Sequence, residues 1–220
     1  MELFIDTANL DEIREIARWG VIAGVTTNPK IFSQEKNTDL KTRVEEILQV
    51  VPGPLSVEVT TNDPDEMIVD AQKFASWSEH IVVKVPMAPA GLEAVRILKS
   101  KGIKTNVTAI MTVNQAMLAA LAGATYGSIF YSRIDDIGHD GLEVIRQSAA
   151  LYKQNGFKTK IIVGSIRMMT QITNAAMAGA DVITVPYKFL SQLAYHPQTE
   201  RTINEFLTAW ENFTPAPVKV

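Results

Sequence analysis

Residues 80–87 read His-Ile-Val-Val-Lys-Val-Pro-Met. A continuous run of β-branched residues closed by a proline has the composition of a strand covered on both faces, as in parallel sheets, and lacks the alternation of a half-solvated strand. Seven further short apolar runs lie near residues 2–5, 21–25, 55–59, 103–107, 126–130, 160–163 and 182–185, which makes eight. Between them run segments with helical period. In residues 9–20, "NLDEIREIARWG", Leu10, Ile13, Ile16 and Ala17 share one face, Asn9 and Glu12 form a capping-box variant, and Gly20 is placed to stop the helix. Asp63 reads as an N-cap with Pro64 in the first helical position. Thr112 pairs with Gln115 as a second capping box, and that helix stops at Gly123.

The junction "AGATYGSIF" at 122–130 recurs as "AGADVITVP" at 178–186, an internal echo of helix, glycine and strand. Strands alternating with helices through short loops imply right-handed crossovers and a parallel sheet. Eight such units favour a closed (β/α)8 TIM barrel; one strand fewer would point to an open doubly wound sheet. No linker divides the 220 residues, so a single domain is expected, with an extra helix over residues 198–213 and a loose tail over 214–220 around the Pro215/Pro217 cluster.

The 21 basic and 24 acidic residues leave a net charge of −3, so neither nucleic acid nor an anionic membrane is an expected partner. The absence of cysteine removes disulfides, thiolate nucleophiles and cysteine-ligated metals together. His80, His139 and His196 are scattered without metal-ligand spacing, and no G-x-G-x-x-G follows a strand, so neither a metal nor a nicotinamide cofactor is indicated. "MELFIDT" enters a strand directly, without a signal-peptide pattern, and no apolar run reaches membrane-spanning length; a cytoplasmic protein is the expectation.

In such a barrel the reactive groups sit at the carboxyl-terminal rim. The expected strand ends are polar here: Asp6, then Thr26, Thr27 and Asn28, then Glu58 and Thr60, Lys84, Asn106 and Thr108, the stretch "SIFYSRID" with Arg133, and Ser165 with Arg167. Lys84 is the most telling. With a reference pKa near 10.4 a hydrated lysine is rarely a free amine, whereas desolvation among Ile81, Val82, Val83 and Val85 can lower a lysine pKa by ~3–5 units. That is what a Schiff-base lysine needs. The alternative is a strand-end lysine that snorkels to solvent or pairs with Asp6 or Glu58.

Asp6 and Glu58 put two carboxylates in the same mouth, able to divide acid and base roles if their environments differ. The other reading of Asp6 is a capping or turn aspartate, and that of Glu58 a charge partner of Lys84 or Arg133. Asn106 and Thr108, two apart on one strand, face the same way, either toward a ligand or bonded to each other. Arg133, Ser165 and Arg167, with the helix start after strand seven, are suited to a phosphate dianion; two isolated arginines would otherwise read as surface charges.

Taken together, "FIDTANLDEI", "GVTTNP", "SVEV", "VVKVPM", "TNVTA", "SRIDDIGHDG", "SIR" and "ADVITVP" resemble the small single-domain transaldolases and the related fructose 6-phosphate aldolases, over essentially the whole chain. The resemblance implies a class I enzyme on a (β/α)8 barrel with no cofactor, acting on sugar phosphates in the pentose phosphate pathway. It implies Lys84 as the Schiff-base lysine and Asp6 as the carboxylate that moves the C4 hydroxyl proton. Glu58 and Thr108 would order the water of imine formation, Asn28 and Asn106 would contact the dihydroxyacetone unit, Thr26 and Phe130 would join them in binding substrate, and Arg133, Ser165 and Arg167 would bind phosphate. Glu58 and Phe130 resemble the transaldolase branch, whereas the aldolase branch carries Gln and Tyr there. The chain departs from the branch pattern at Tyr131, one residue out of register with the aldolase tyrosine; a bulged strand would bring it back to the site. Activity as an aldolase that releases dihydroxyacetone is the alternative, and a catalytically silent sugar-phosphate-binding barrel is the rival from another class. Ile203, Phe206, Leu207 and Trp210 share one helical face, either packed on their own barrel or exchanged with a neighbour; the resemblance implies a homo-oligomer, a decamer or pentamer.

Overall fold

The structure is a computed structural model that describes residues 1–36 and 38–213. The proposed tail at 214–220 lies outside the described residues. The strands are β1 (Glu2–Asp6), β2 (Ile22–Thr26), β3 (Leu55–Glu58), β4 (Ile81–Pro86), β5 (Thr105–Ile110), β6 (Tyr126–Phe130), β7 (Lys160–Gly164) and β8 (Val182–Val185). They close in sequence order into one parallel barrel, β8 pairing with β1. The helices are α1 (Leu10–Ala17), α2 (Pro29–Phe32), α3 (Leu40–Val50), α4 (Pro64–Ala75), α5 (Pro89–Ser100), α6 (Val113–Ala122), α7 (Tyr131–Asp136), α8 (Gly141–Asn155), α9 (Met169–Met177), α10 (Tyr187–Leu190) and α11 (Pro197–Glu211). The (β/α)8 barrel expected from the eight apolar runs is the fold observed.

The local signals act nearly as read, with two exchanges of partner. Asn9 accepts from the backbone N–H groups of Asp11 and Glu12, but Glu12 answers the Thr7 hydroxyl instead of the Asn9 backbone. Thr112 accepts from Gln115 N–H, while the Gln115 amide oxygen accepts from Met111 N–H, one residue before the cap. Asp63 caps α4 with Pro64 in its first turn. Gly123 and Gly179 both stand at positive φ, 88° and 100°, so the repeated helix–glycine–strand junction is one backbone solution used twice. β5 starts two residues later than expected because Ile103 N–H closes on Leu98 C=O at the end of α5, 3.0 Å away, and keeps the chain in the turn.

The pleat sorts each strand between two environments. Ile81, Val83 and Val85 belong to the large apolar layer beneath the helices, whereas Val82 joins Phe4, Tyr126, Ile162 and Val182 in a separate cluster. These five plug the barrel interior, with Phe4 and Tyr126 in edge contact at 6.4 Å. Gly24 makes room for the plug, because a Cβ there would lie 2.8 Å from the Phe4 ring. One pleat step toward the carboxyl-terminal rim the inward residues become Asp6, Thr26, Glu58, Lys84, Ser128, Gly164 and Thr184. The barrel is therefore an apolar stopper under a polar cup.

Candidate active site

Lys84 is 5% exposed and sits inside that cup. Its Nζ donates to Thr27 C=O at 3.0 Å and lies 3.2 Å from Glu58 Oε2, the residue paired with it across the β3–β4 ladder. The valines on either side, Val83 and Val85, face the helices and hold the strand in place, and the lysine itself is desolvated by the barrel interior.

Asp6, Thr26, Asn28, Lys84, Phe130, Arg133 and Ser165 line a single cavity at the carboxyl-terminal mouth, together with Ser128, Gly164 and Thr184. Asp6 accepts a hydrogen bond from the Thr26 hydroxyl at 2.7 Å, and Thr26 shares a second contact with Thr184 across the β8–β1–β2 seam. It does not cap α1, since Asn9 does, so the capping reading of Asp6 is set aside. Burial pushes the Asp6 carboxyl above the usual carboxylate range, against the opposing pull of Lys84 and the Thr26 hydrogen bond.

Asn28 caps α2 by accepting from Ile31 N–H at 3.0 Å, which aims its amide over the cavity rim. Asn106 lies beneath Lys84, donating to Ser56 Oγ at 3.2 Å and accepting from Ser128 Oγ at 2.7 Å. Thr108 is buried without a protein hydrogen-bond partner for its Oγ1 among the described residues, so the idea that Asn106 and Thr108 satisfy each other does not hold. Glu58 is 20% exposed and lines an adjoining cavity with Thr60 and Asn28, standing behind Lys84 as seen from the main mouth.

The phosphate set is only partly assembled. Arg133 does not come from a strand: β6 ends at Phe130, α7 begins at Tyr131, and the Arg133 guanidinium packs 5.3 Å above the Phe130 ring. Ser165 follows β7 at φ 59°, a left-handed conformation unusual for serine, and the residue lines the cavity. Arg167 stands apart, paired with Asp136 at 2.7 Å on the surface. The N–H groups of Arg167 and Met168 at the start of α9 donate to the Gln171 side chain.

The bulge considered for Tyr131 is absent: β6 and β7 stay in continuous register through Phe130 and Gly164. Tyr131 opens α7 instead, buried with its ring against Gly141 at the start of α8 and outside the lining of the cavity. Sequence reading passed over Ser56, Ser128, Thr184 and Gln171. The first three carry a readable signal, a small hydroxyl residue on the inward phase of a strand (Val182-Ile183-Thr184-Val185 is the clearest), whereas nothing in the sequence around Gln171 marks it.

Among the described residues no helix is long and apolar enough to cross a membrane, and no group of three or more His, Cys, Asp or Glu side chains is gathered as a metal site would require. Solved structures with this fold include a mandelate oxidase mutant (TM-score 0.58, 17% identity, 94% of this chain and 71% of that one) and the thiamine phosphate pyrophosphorylase of Pyrococcus furiosus (TM-score 0.57, 14% identity, 94% and 96%). They establish the architecture alone, since one barrel serves many chemistries.

Fold and cup together define a barrel enzyme whose mouth is organised around a buried lysine between carboxylates. Residues 3–216 match the transaldolase/fructose-6-phosphate aldolase family, and the chain belongs to it. Relatives named probable transaldolase include those of Alkaliphilus metalliredigens (47% identical, covering 96% of this chain and 98% of that one) and Geobacillus thermodenitrificans (49%, 96% and 98%).

Proposed function

We propose that the protein is a transaldolase that moves a dihydroxyacetone unit from a ketose phosphate to an aldose phosphate through an imine on Lys84. The single observation that carries the reading is the buried Lys84 amine, 3.2 Å from Glu58 and in the field of Asp6, at the floor of a cavity whose other end holds Arg133 and Ser165. The amine attacks the C2 carbonyl, water leaves, and the protonated imine becomes the electron sink. Asp6 takes the C4 hydroxyl proton, the C3–C4 bond breaks into the imine, an aldose phosphate departs and an enamine stays on Lys84. The acceptor aldehyde then adds to the enamine with the proton returned from Asp6, and water releases the new ketose. A raised carboxyl pKa suits Asp6 to both halves, because it holds the proton between them.

In this reading Glu58 receives the amine's proton and, with the Thr108 hydroxyl, orders the water of imine formation and hydrolysis. Asn28, Asn106 and Thr26 orient the three-carbon unit, and Arg133, Ser165 and Arg167 take the phosphate. The chemistry needs no metal or organic cofactor.

Residue 130 is a phenylalanine and Tyr131 does not line the cavity, which favours transfer over the aldolase alternative that releases free dihydroxyacetone. Omitting the acceptor erythrose 4-phosphate decides between them, since fast acceptor-free cleavage of fructose 6-phosphate belongs to the aldolase. Borohydride reduction in the presence of fructose 6-phosphate, followed by peptide mass analysis, tests the core of the proposal. An adduct on the Lys84 peptide is the expected outcome; its absence favours the silent sugar-phosphate-binding barrel.

We further propose that the chain works as a cytoplasmic homo-oligomer, a pentamer or decamer, tied together by α11. None of the residues of α11 is buried, and Ile203, Phe206, Leu207 and Trp210 are all exposed, so the helix does not pack its apolar face on its own barrel.

A further inference from the structure

We propose that Gln171 is the positioning residue of the phosphate-binding end, tying the helix that carries Arg133 to the loop that carries Ser165. The inference rests on the function proposed above and adds a residue that touches no substrate. Gln171 lies in the first turn of α9 and is 2% exposed, and both ends of its amide are engaged. Oε1 accepts from Ser132 Oγ at 3.0 Å, from Arg167 N–H at 2.9 Å and from Met168 N–H at 3.2 Å; Nε2 donates to Asp135 Oδ2 at 3.3 Å. A capping glutamine ordinarily answers only its own helix start. This one also reaches two residues of α7.

The consequence is geometric. Ser132 immediately precedes Arg133, so anchoring its hydroxyl fixes the rotation of the short helix α7 and the direction in which the guanidinium leaves it. On the other side, the anchored N–H groups of Arg167 and Met168 hold the loop just after Ser165. Ser132 N–H also donates to Ser165 C=O at 3.3 Å, bringing the two halves into direct contact. A left-handed serine persists only where its surroundings overdetermine it, and the Gln171 amide supplies much of that constraint. Asp135 continues the network by accepting from Gly141 N–H at 2.9 Å, the start of α8. Gln171 and Ser132 form the buried centre of this network, and a polar network with its centre satisfied loses rigidity when that one amide is removed.

Gln171→Met keeps the volume but leaves Ser132 Oγ and two backbone N–H groups without an acceptor. The test compares borohydride trapping of Lys84 by fructose 6-phosphate and by dihydroxyacetone, which differ in carrying a phosphate. In the variant the half-saturating concentration of fructose 6-phosphate should rise roughly ten- to hundredfold, the range for a mispositioned charge-assisted contact. Trapping by dihydroxyacetone should stay within about twofold, because nothing at Lys84 depends on phosphate. The rise in melting temperature caused by inorganic phosphate should shrink in parallel.

Equal losses with both donors, or no loss with either, overturn the proposal. If the wild-type chain forms no adduct with either donor, the assignment of Lys84 fails, and the phosphate-induced thermal shift of wild type against Gln171→Met still decides whether Gln171 sets anion affinity. Should Gln171→Met not fold, Ser132→Ala removes one of the two ties to α7, the one next to Arg133, and should reproduce the donor-selective loss at several-fold, non-additively when combined with a second change in the network.

Discussion

Lys84 Nζ lies 3.2 Å from Glu58 Oε2, and the two residues are direct partners across the β3–β4 ladder. The ladder fixes the two Cα positions opposite each other, so removing either side chain leaves the other without this partner. Lys84→Arg keeps a cation opposite Glu58 but replaces the amine with a guanidinium that does not deprotonate in proteins. Turnover should fall on the order of 10³-fold or more and the borohydride adduct should vanish, while circular dichroism and melting temperature stay close to wild type. Lys84→Met strands the Glu58 carboxylate and should cost about 3 kcal/mol, the low end for a broken buried pair because Glu58 keeps some solvent contact. Chemical denaturation of the two variants side by side separates the catalytic loss from the structural one.

The raised pKa of Asp6 carries a sign that denaturation can read. The folded chain holds the Asp6 proton more tightly than the unfolded chain, whose carboxyl titrates near 3.8. As pH rises from that value through the raised folded pKa, stability falls, and above it the full cost of a desolvated carboxylate is present. Asp6→Asn removes that cost. The variant should therefore be more stable than wild type at pH 7, with the advantage shrinking as the pH is lowered through this window, while activity drops about 10²- to 10⁴-fold. Urea midpoints across a pH series provide the check, and a variant less stable than wild type at neutral pH would contradict it.

Thr108 poses the opposite case, a hydroxyl that contributes nothing to the fold by hydrogen bonding, since its Oγ1 is buried without a protein partner among the described residues. Thr108→Val retains the shape and removes the orphaned group. Stability should change by less than about 1 kcal/mol, or improve. If the hydroxyl serves with Glu58 to order the water of imine chemistry, the rate of adduct formation should nevertheless fall about tenfold or more, as rapid-quench trapping would reveal. A variant with unaltered stability and unaltered adduct rate sinks that role.

The two arginines should separate in their effect on phosphorylated substrates. Arg133 already borders the cavity with its guanidinium over Phe130, whereas Arg167 is held by Asp136 in a half-exposed pair. Such a surface pair is worth about 0–1 kcal/mol, so Arg167 can leave it for a phosphate but starts from a competing partner. Arg133→Ala should raise KM for fructose 6-phosphate about a hundredfold and Arg167→Ala about tenfold or less, with kcat moved less than KM in both. Steady-state kinetics in which Arg167→Ala is the more damaging change would reverse the assignment.

How far the sequence carried this reading depended on whether the determinant was local. The eight strands were legible because each lies in a short, largely apolar run, and caps that act within a few residues, such as Asp63 and Gly123, bound the helices between them. Asp6, Lys84 and Arg133 were legible because a charged group at the end of an apolar run is conspicuous. The start of α7 was not, since "SIFYSRID" carries no cap or breaker, and only the pairing of Phe130 with Gly164 shows where the strand stops. That missing boundary is why Tyr131 read as a strand residue. Gln171 was hidden for a stronger reason, because its importance lies in contacts with Ser132 and Asp135, 39 and 36 residues away, and no periodicity encodes them.

The C-terminal helix provides the last prediction. α11 presents Phe206 at 69% and Trp210 at 72% exposure, with Ile203 and Leu207 on the same face, and none of its residues is buried. Fully burying one such side chain is worth about 1.5–3 kcal/mol, so leaving this face in water forfeits a driving force that a neighbouring subunit can recover. Because the barrel core does not include this face, Phe206→Glu with Trp210→Glu should leave the barrel folded. The same pair of changes should convert the assembly to monomers at micromolar concentration, measured by sedimentation velocity and light scattering. A wild-type chain that sediments as a monomer, or a double variant that sediments as the same oligomer as wild type, rules out α11 as the tie between subunits.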